Sequence, residues 1–222
     1  MSHSFVTHHF SIYCCKDNHF FLQSQIRDSI FAILIIFTYF CAMKRIILIT
    51  GGQRSGKSEY AEQKALSLSP NPIYMATSRI WDDEFRLRVE RHKQRRGPQW
   101  TNIEEEKFLS RHNVEGRVVL IDCVTLWATN FFFDLHPEED ASTGQKAQIV
   151  AETLRALKEE FNNFTQQDAT FIFVTNEIGS GGVSNNTIQR QFTDVEGWIN
   201  QYIATRADEV YLMVCGIATR IK

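Results

Sequence analysis

Eight consecutive residues, Gly51-Gly52-Gln53-Arg54-Ser55-Gly56-Lys57-Ser58, constrain this chain more than any other feature. They fit the pattern G-x-x-x-x-G-K-[ST], and their flanks supply the context it needs. Before them, Arg45-Ile46-Ile47-Leu48-Ile49-Thr50 is a β-branched apolar run of buried-strand type; after them, residues 59–68 are helix-forming. A strand that runs through a glycine loop into a helix is a phosphate-binding P-loop. Backbone N–H groups wrap a phosphate, Lys57 reaches the terminal phosphates, and the Ser58 hydroxyl can ligate Mg²⁺. The chain is therefore expected to bind a nucleoside triphosphate along this loop.

The rest alternates strand-like and helical stretches. Residues 72–77, 118–122, 170–175 and 209–214 read as strands, and 82–96, 144–164 and 186–206 as helices. In the first of these helices Phe85 and Val89 would face the core, Asp82, Asp83 and Glu84 suit its positive end, and Gly97-Pro98 stops it. In the second, Ile149, Leu154, Leu157 and Phe161 have core-like spacing. Gly216 allows a tight turn into an antiparallel last strand at 217–221. Continuous apolar strands between helices predict a mostly parallel sheet covered by helices on both faces. The fold class is α/β, of P-loop NTPase (RecA-like) type, with the site along the carboxyl ends of the strands.

At 222 residues one domain with a full core is expected. A net charge of −2 gives no electrostatic footprint for nucleic acid. Cys14, Cys15, Cys41, Cys123 and Cys215 form no C-x-x-C pair, which suits reduced thiols in a cytoplasm. Residues 1–42 stand apart. Residues 30–43 are a nearly unbroken apolar run, short of the roughly 20 residues a spanning helix needs. A secretory signal would need an earlier apolar region, away from Arg27 and Asp28. The catalytic domain is read as residues 43–222. Residues 1–42 are an N-terminal extension outside it: either upstream sequence before a start at Met43, or a membrane-associated tail. No membrane contact is expected of residues 43–222.

Asp122 ends an apolar strand, where a Walker-B carboxylate would hold Mg²⁺ beside Ser58; a helix-capping role is the bland alternative. Thr175-Asn176-Glu177 ends another strand and could orient a nucleophile or the γ-phosphate, or simply form a turn. Arg88, His92 and Arg96 are spaced by four and share one face with Arg91, Lys93 and Arg95 close by. That face is either solvated or set against phosphate oxygens. Crowding cations depress an imidazole's pKa, and a neutral His92 is the form able to attack phosphorus. Glu104 follows; a carboxylate matches the N1–H and N2–H edge of guanine, although an exposed acidic run is the plain reading.

Taken together, the glycine loop, Tyr74-Met75-Ala76-Thr77-Ser78, Asp82-Asp83-Glu84 and Arg88-Val89-Glu90-Arg91-His92-Lys93 resemble one family. It is the bifunctional adenosylcobinamide kinase/adenosylcobinamide-phosphate guanylyltransferases of cobalamin biosynthesis. Thr175-Asn176-Glu177-Ile178-Gly179 and the ending from Gly216 to Lys222 are similar too. The resemblance implies two reactions, with ATP or GTP and Mg²⁺. A nucleoside triphosphate phosphorylates the aminopropanol hydroxyl of adenosylcobinamide. Then a histidine, falling on His92, takes GMP from GTP as a phosphoramidate and passes it to the cobinamide phosphate. It implies nucleotide contacts at the P-loop, at Ala76, Thr77 and Ser78, at Lys93, Gln94, Arg95 and Arg96, and at Glu104 and Asp122. It also implies a homotrimer. Gln53, where a small residue is usual, departs from the pattern. Two other readings remain: a P-loop kinase of single activity, and a nucleotide-gated RecA-like binding module.

Overall fold

The computed structural model describes residues 44–80, 83, 96–135, 137–138 and 140–222. Among the described residues seven strands form one sheet in the order β3-β2-β4-β5-β1-β6-β7. They are β1 (Arg45–Gly51), β2 (Ile73–Ala76), β3 (Thr101–Glu104), β4 (Val118–Asp122), β5 (Thr170–Val174), β6 (Glu209–Val214) and β7 (Ile217–Arg220). Every pairing is parallel except β6 with β7. The helices are α1 (Lys57–Leu68), α2 (Val124–Asp134), α3 (Thr143–Phe164) and α4 (Thr187–Arg206).

Strand alternation sorts the core into two layers. Ile46 and Leu48 of β1 pack with Trp127 and Phe132 of α2, Leu157, Phe161 and Phe164 of α3, and Val195, Ile199 and Ile203 of α4. Ile47 and Ile49, on the opposite face, pack with Ala61 and Ala65 of α1 and with Tyr74 and Trp100. Both faces of the central sheet are thus buried, which is why β1, β4 and β5 are nearly continuous apolar runs. The helix ends are locally encoded. Ser142 and Gln145 form a reciprocal capping box on α3, and Asn186 accepts from the Gln189 N–H at the start of α4.

The α/β sheet with its antiparallel last strand agrees with the sequence reading. Two elements were not anticipated. β3 is an edge strand in which Thr101, Asn102 and Glu104 are exposed and only Ile103 is partly buried, so it carries no apolar run. α2 is buried nearly all round and lacks the polar stripe that marks an amphipathic helix. The helix expected over 82–96 and the extension 1–42 lie outside the described residues, except for Asp83 and Arg96.

Candidate active site

β1 lies inside the sheet between β5 and β6, and its carboxyl end opens directly into the glycine loop. Three residues there hold left-handed backbone: Gly51 (φ 150°), Arg54 (φ 58°) and Gly56 (φ 94°). Such alternation turns consecutive N–H groups inward, the geometry of an anion nest. Gly56 is the N-cap of α1, and no side chain caps that helix end, so its first N–H groups remain for a ligand. The loop is braced from within: Ser55 N–H donates to Gly52 O (3.3 Å) and Lys57 Nζ to the same oxygen (2.5 Å). The β6–β7 turn closes it from the side, where Gly216 N–H donates to Ser55 O at 2.9 Å. Burial pulls the Lys57 ammonium below the ordinary lysine range, against the opposing pull of Cys123, Asp122 and Glu196. Gln53 is exposed, clear of the loop's interior.

The strand registers bring three other predicted residues into one row. Ala76 lies opposite Glu104 on one side and Asp122 on the other, and Asp122 continues the row to Val174 and so to Ile49. At about 4.8 Å per strand, Glu104 stands roughly 19 Å from β1. A nucleotide touching both would therefore lie along the sheet's carboxyl edge. Asp122 is half-buried and oriented by Tyr74, whose hydroxyl donates to its Oδ2 at 2.7 Å. Burial first, and then Asp122, push the Tyr74 phenol far above its ordinary range, so it remains a donor. Arg96 stacks its guanidinium 3.5 Å from the centre of the Tyr74 ring and donates from Nε to Asn102 Oδ1 (3.1 Å). Glu104 is exposed.

Thr77 is fully buried, and its groups are already engaged. Its N–H donates to Asp122 O (3.2 Å), its hydroxyl to Cys123 O (2.7 Å), and its carbonyl accepts from Asn130 Nδ2 (2.7 Å). Its work is to pin the end of β2 to β4, which sets the position of Ala76 and of half-buried Ser78. His92, Lys93, Gln94 and Arg95 lie outside the described residues; Arg96 marks where their segment rejoins the sheet edge.

Beneath the row, the Thr175-Asn176-Glu177 segment singled out by the sequence reading joins a polar cluster whose other members, Thr125, Glu196 and Asn200, that reading did not name. Glu196 of α4 is completely buried, and Thr125 Oγ1 donates to its Oε1 at 2.5 Å. Thr125 in turn accepts from the backbone N–H (3.1 Å) and Nδ2 (2.9 Å) of Asn176. Asn200, one turn along α4, donates to Asn176 O (3.0 Å) and accepts from the Thr175 hydroxyl (2.7 Å). Glu177 N–H donates to Gly51 O at 3.1 Å, fastening this segment to the P-loop strand. The available signal was a charged residue inside an apolar stripe: Val195, Glu196, Ile199, Asn200 and Ile203 form the buried face of α4.

A hydroxyl at Ser58 and a carboxylate at Asp122 are the hard oxygen donors that suit Mg²⁺. The fit is favourable, because Tyr74 holds one oxygen of Asp122 and the other has no partner among the described residues.

Comparison with known proteins identifies the family. The cobinamide kinase / cobinamide phosphate guanyltransferase family matches residues 47–221. The bifunctional adenosylcobalamin biosynthesis protein CobU of Escherichia coli is 36% identical over 182 residues, covering 80% of this chain and 99% of that protein. Its Salmonella typhimurium namesake is 36% identical over 185 residues with the same coverage. The corresponding protein CobP of Pseudomonas aeruginosa is 34% identical over 179 residues, covering 79% of this chain and 96% of that protein. With a family match across most of its length and relatives covered almost from end to end, this chain belongs to the cobinamide kinase / cobinamide phosphate guanyltransferase family.

Proposed function

We propose that residues 43–222 form a bifunctional enzyme of cobalamin biosynthesis, with residues 1–42 outside the catalytic unit. It phosphorylates adenosylcobinamide with ATP or GTP, then transfers GMP from GTP to adenosylcobinamide phosphate, giving adenosylcobinamide-GDP. The observation that carries this reading is the alignment of the P-loop, Asp122, Ala76 and Glu104 along one sheet edge, in a chain of this family.

In the kinase step the backbone N–H groups of Gly51 to Ser58 hold the phosphates and Lys57 neutralises them. Ser58 and Asp122 would hold Mg²⁺, which when bound draws charge from the phosphate oxygens. In the transfer step Glu104 accepts from guanine N1–H and N2–H, while Lys93, Gln94, Arg95 and Arg96 contact the ribose and phosphates. A neutral His92 nitrogen attacks the α-phosphorus; the P–N bond forms as the bond to pyrophosphate breaks. A phosphate oxygen of the cobinamide phosphate then displaces the imidazole and receives GMP. Ala76, Thr77 and Ser78 shape the wall between the two chemistries, Thr77 through the strand end it pins.

No helix among the described residues is long and apolar enough to cross a membrane. A cytoplasmic homotrimer completes the proposal, and sedimentation of the purified protein tests the trimer.

The decisive experiment incubates the protein with GTP labelled at the α-phosphate and Mg²⁺, without acceptor, and looks for label on denatured protein. Acid-labile, alkali-stable label that is lost in His92→Ala is the expected result. Nucleotide binding without label would leave a kinase of single activity.

A further inference from the structure

Glu196 is a buried acid with too few partners. Its residue is 0% exposed, and Oε2 has no hydrogen-bond partner among the described residues. Oε1 is served by the Thr125 hydroxyl, and the Asn176 backbone N–H, which donates to Thr125, also favours the charged carboxylate. That hydroxyl has one proton and already accepts two hydrogen bonds from Asn176, so the proton is committed to Glu196 and the geometry is fixed. A carboxylate left in this state is costly, whereas its protonated form is tolerated. The surroundings do not supply the missing charge. Among the described residues Lys57, from α1, is the one cation that bears on it, and Lys57 Nζ is turned toward Gly52 O. The Cys123 thiol, at the β4–α2 junction, is pushed up to about 12 by burial and stays neutral. Glu177, beyond β5, adds a like charge.

Resting on the nucleotide reading above, we propose that Glu196 is a further positioning residue of the nucleotide site: it must carry a proton while a triphosphate is bound, so that nucleotide binding draws a proton into the protein. Even with Mg²⁺ bound, the triphosphate brings net negative charge to Lys57, on which Asp122 and Glu196 already bear. The added repulsion falls on Glu196, whose buried carboxyl is the weaker acid beside the phosphates, and it takes up a proton. In the empty site burial has already pushed the Glu196 carboxyl up to about 7, with Glu177 adding to the shift and Thr125, the Asn176 N–H and Lys57 opposing it. Glu196 therefore stands near half-protonation at neutral pH, where a further push changes its occupancy most. Once protonated it keeps its hydrogen bond to Thr125, and Thr125 keeps Asn176 and Glu177 in place against the loop.

Calorimetric titration of the full chain with the α,β-methylene analogue of GTP and Mg²⁺, at pH 7.5 in two buffers of different ionisation enthalpy, counts the protons. The nucleotide's own ionisation is removed by subtracting the same measurement on Glu196→Gln. Wild type should take up roughly half to three quarters of a proton more than the variant, and its affinity should fall about tenfold relative to the variant between pH 6.5 and 8.5. Equal proton counts and parallel affinity profiles would overturn the inference. Should Glu196→Gln not fold, infrared difference spectra of wild type at pH 8 replace it. A protonated-carboxyl band must grow when nucleotide is added, and a flat spectrum despite binding refutes the proposal. Failure of the histidine-labelling experiment leaves this one standing, because it reads binding alone; an analogue that does not bind at all overturns both.

Discussion

Gly51 and Gly52 stand side by side in the same motif, yet the structure assigns them opposite duties. A Cβ on Gly51 would lie 2.5 Å from the carbonyl oxygen of Met213, 2.9 Å from Ser55 Oγ and 3.2 Å from Met213 Cβ. The first contact is with backbone of β6, the strand in register with Gly51, so relief means shifting a strand paired on both sides. The φ of 150° adds strain for any L residue. Overpacking of this kind costs about 1–3 kcal/mol and the backbone strain a similar amount. The stiffer unfolded chain offsets only about 0.4–1 kcal/mol for a residue in a strained site. Gly51→Ala should therefore lose about 3 kcal/mol, which for a domain of this size is about 6–12 °C in Tm. A Cβ on Gly52 meets nothing within 4 Å and its φ is ordinary. Gly52→Ala should melt within about 2 °C of wild type, while its added methyl blocks close backbone approach to phosphate and weakens GTP binding at least tenfold. Thermal unfolding by circular dichroism and a GTP titration on both variants separate the two effects. Equal Tm values for the two variants, or a neutral Gly51→Ala, would refute the reasoning.

Two further predictions concern the carboxylates. Tyr74→Phe removes the 2.7 Å hydrogen bond that orients Asp122, and should raise the Mg²⁺ concentration for half-maximal turnover about tenfold, or about 1.4 kcal/mol; an unchanged Mg²⁺ titration would show that Asp122 needs no such support. Glu196→Gln should change stability in a pH-dependent way. Because the folded carboxyl titrates near 7 against an ordinary 4.5, its contribution is fully present below pH 4.5 and is lost as pH rises through 7. Urea unfolding should find the variant equal to wild type at pH 4.5 and about 2–3 kcal/mol more stable at pH 8.5; a gain of the same size at both pH values would mean that repacking, not charge, is responsible.

Legibility in this sequence followed the range of the interactions. The P-loop is made of neighbours in the chain, and its φ values, its helix start and its lysine are dictated within eight residues. The buried strands were equally readable, because burial on both faces leaves them uniformly apolar. β3 escaped notice for the complementary reason: an edge strand with three of its four residues exposed is held by backbone pairing to β2, which side-chain pattern does not record. Yet β3 decides the geometry of the candidate base reader. Glu104 is legible as a carboxylate, but only the register with Ala76 aligns it with Asp122.

The polar floor shows the same limit more sharply. Thr125, Asn176 and Glu196 meet across sequence separations of 51 and 71 residues. Asn176 stood out as a strand-end residue, but Thr125 at the start of a helix and Glu196 in the middle of one are unremarkable alone. What sequence did hold was a contradiction: a glutamate at a position of α4 whose spacing demands an apolar side chain. Where local pattern and residue identity disagree, burial of a charge must be offset by partners that the local pattern does not contain. In this fold those partners come from the ends of β4 and β5, the same edge from which the P-loop strand reaches its ligand. A misplaced charge on a core-facing helix therefore points toward the site even when the sequence cannot say which residues receive it.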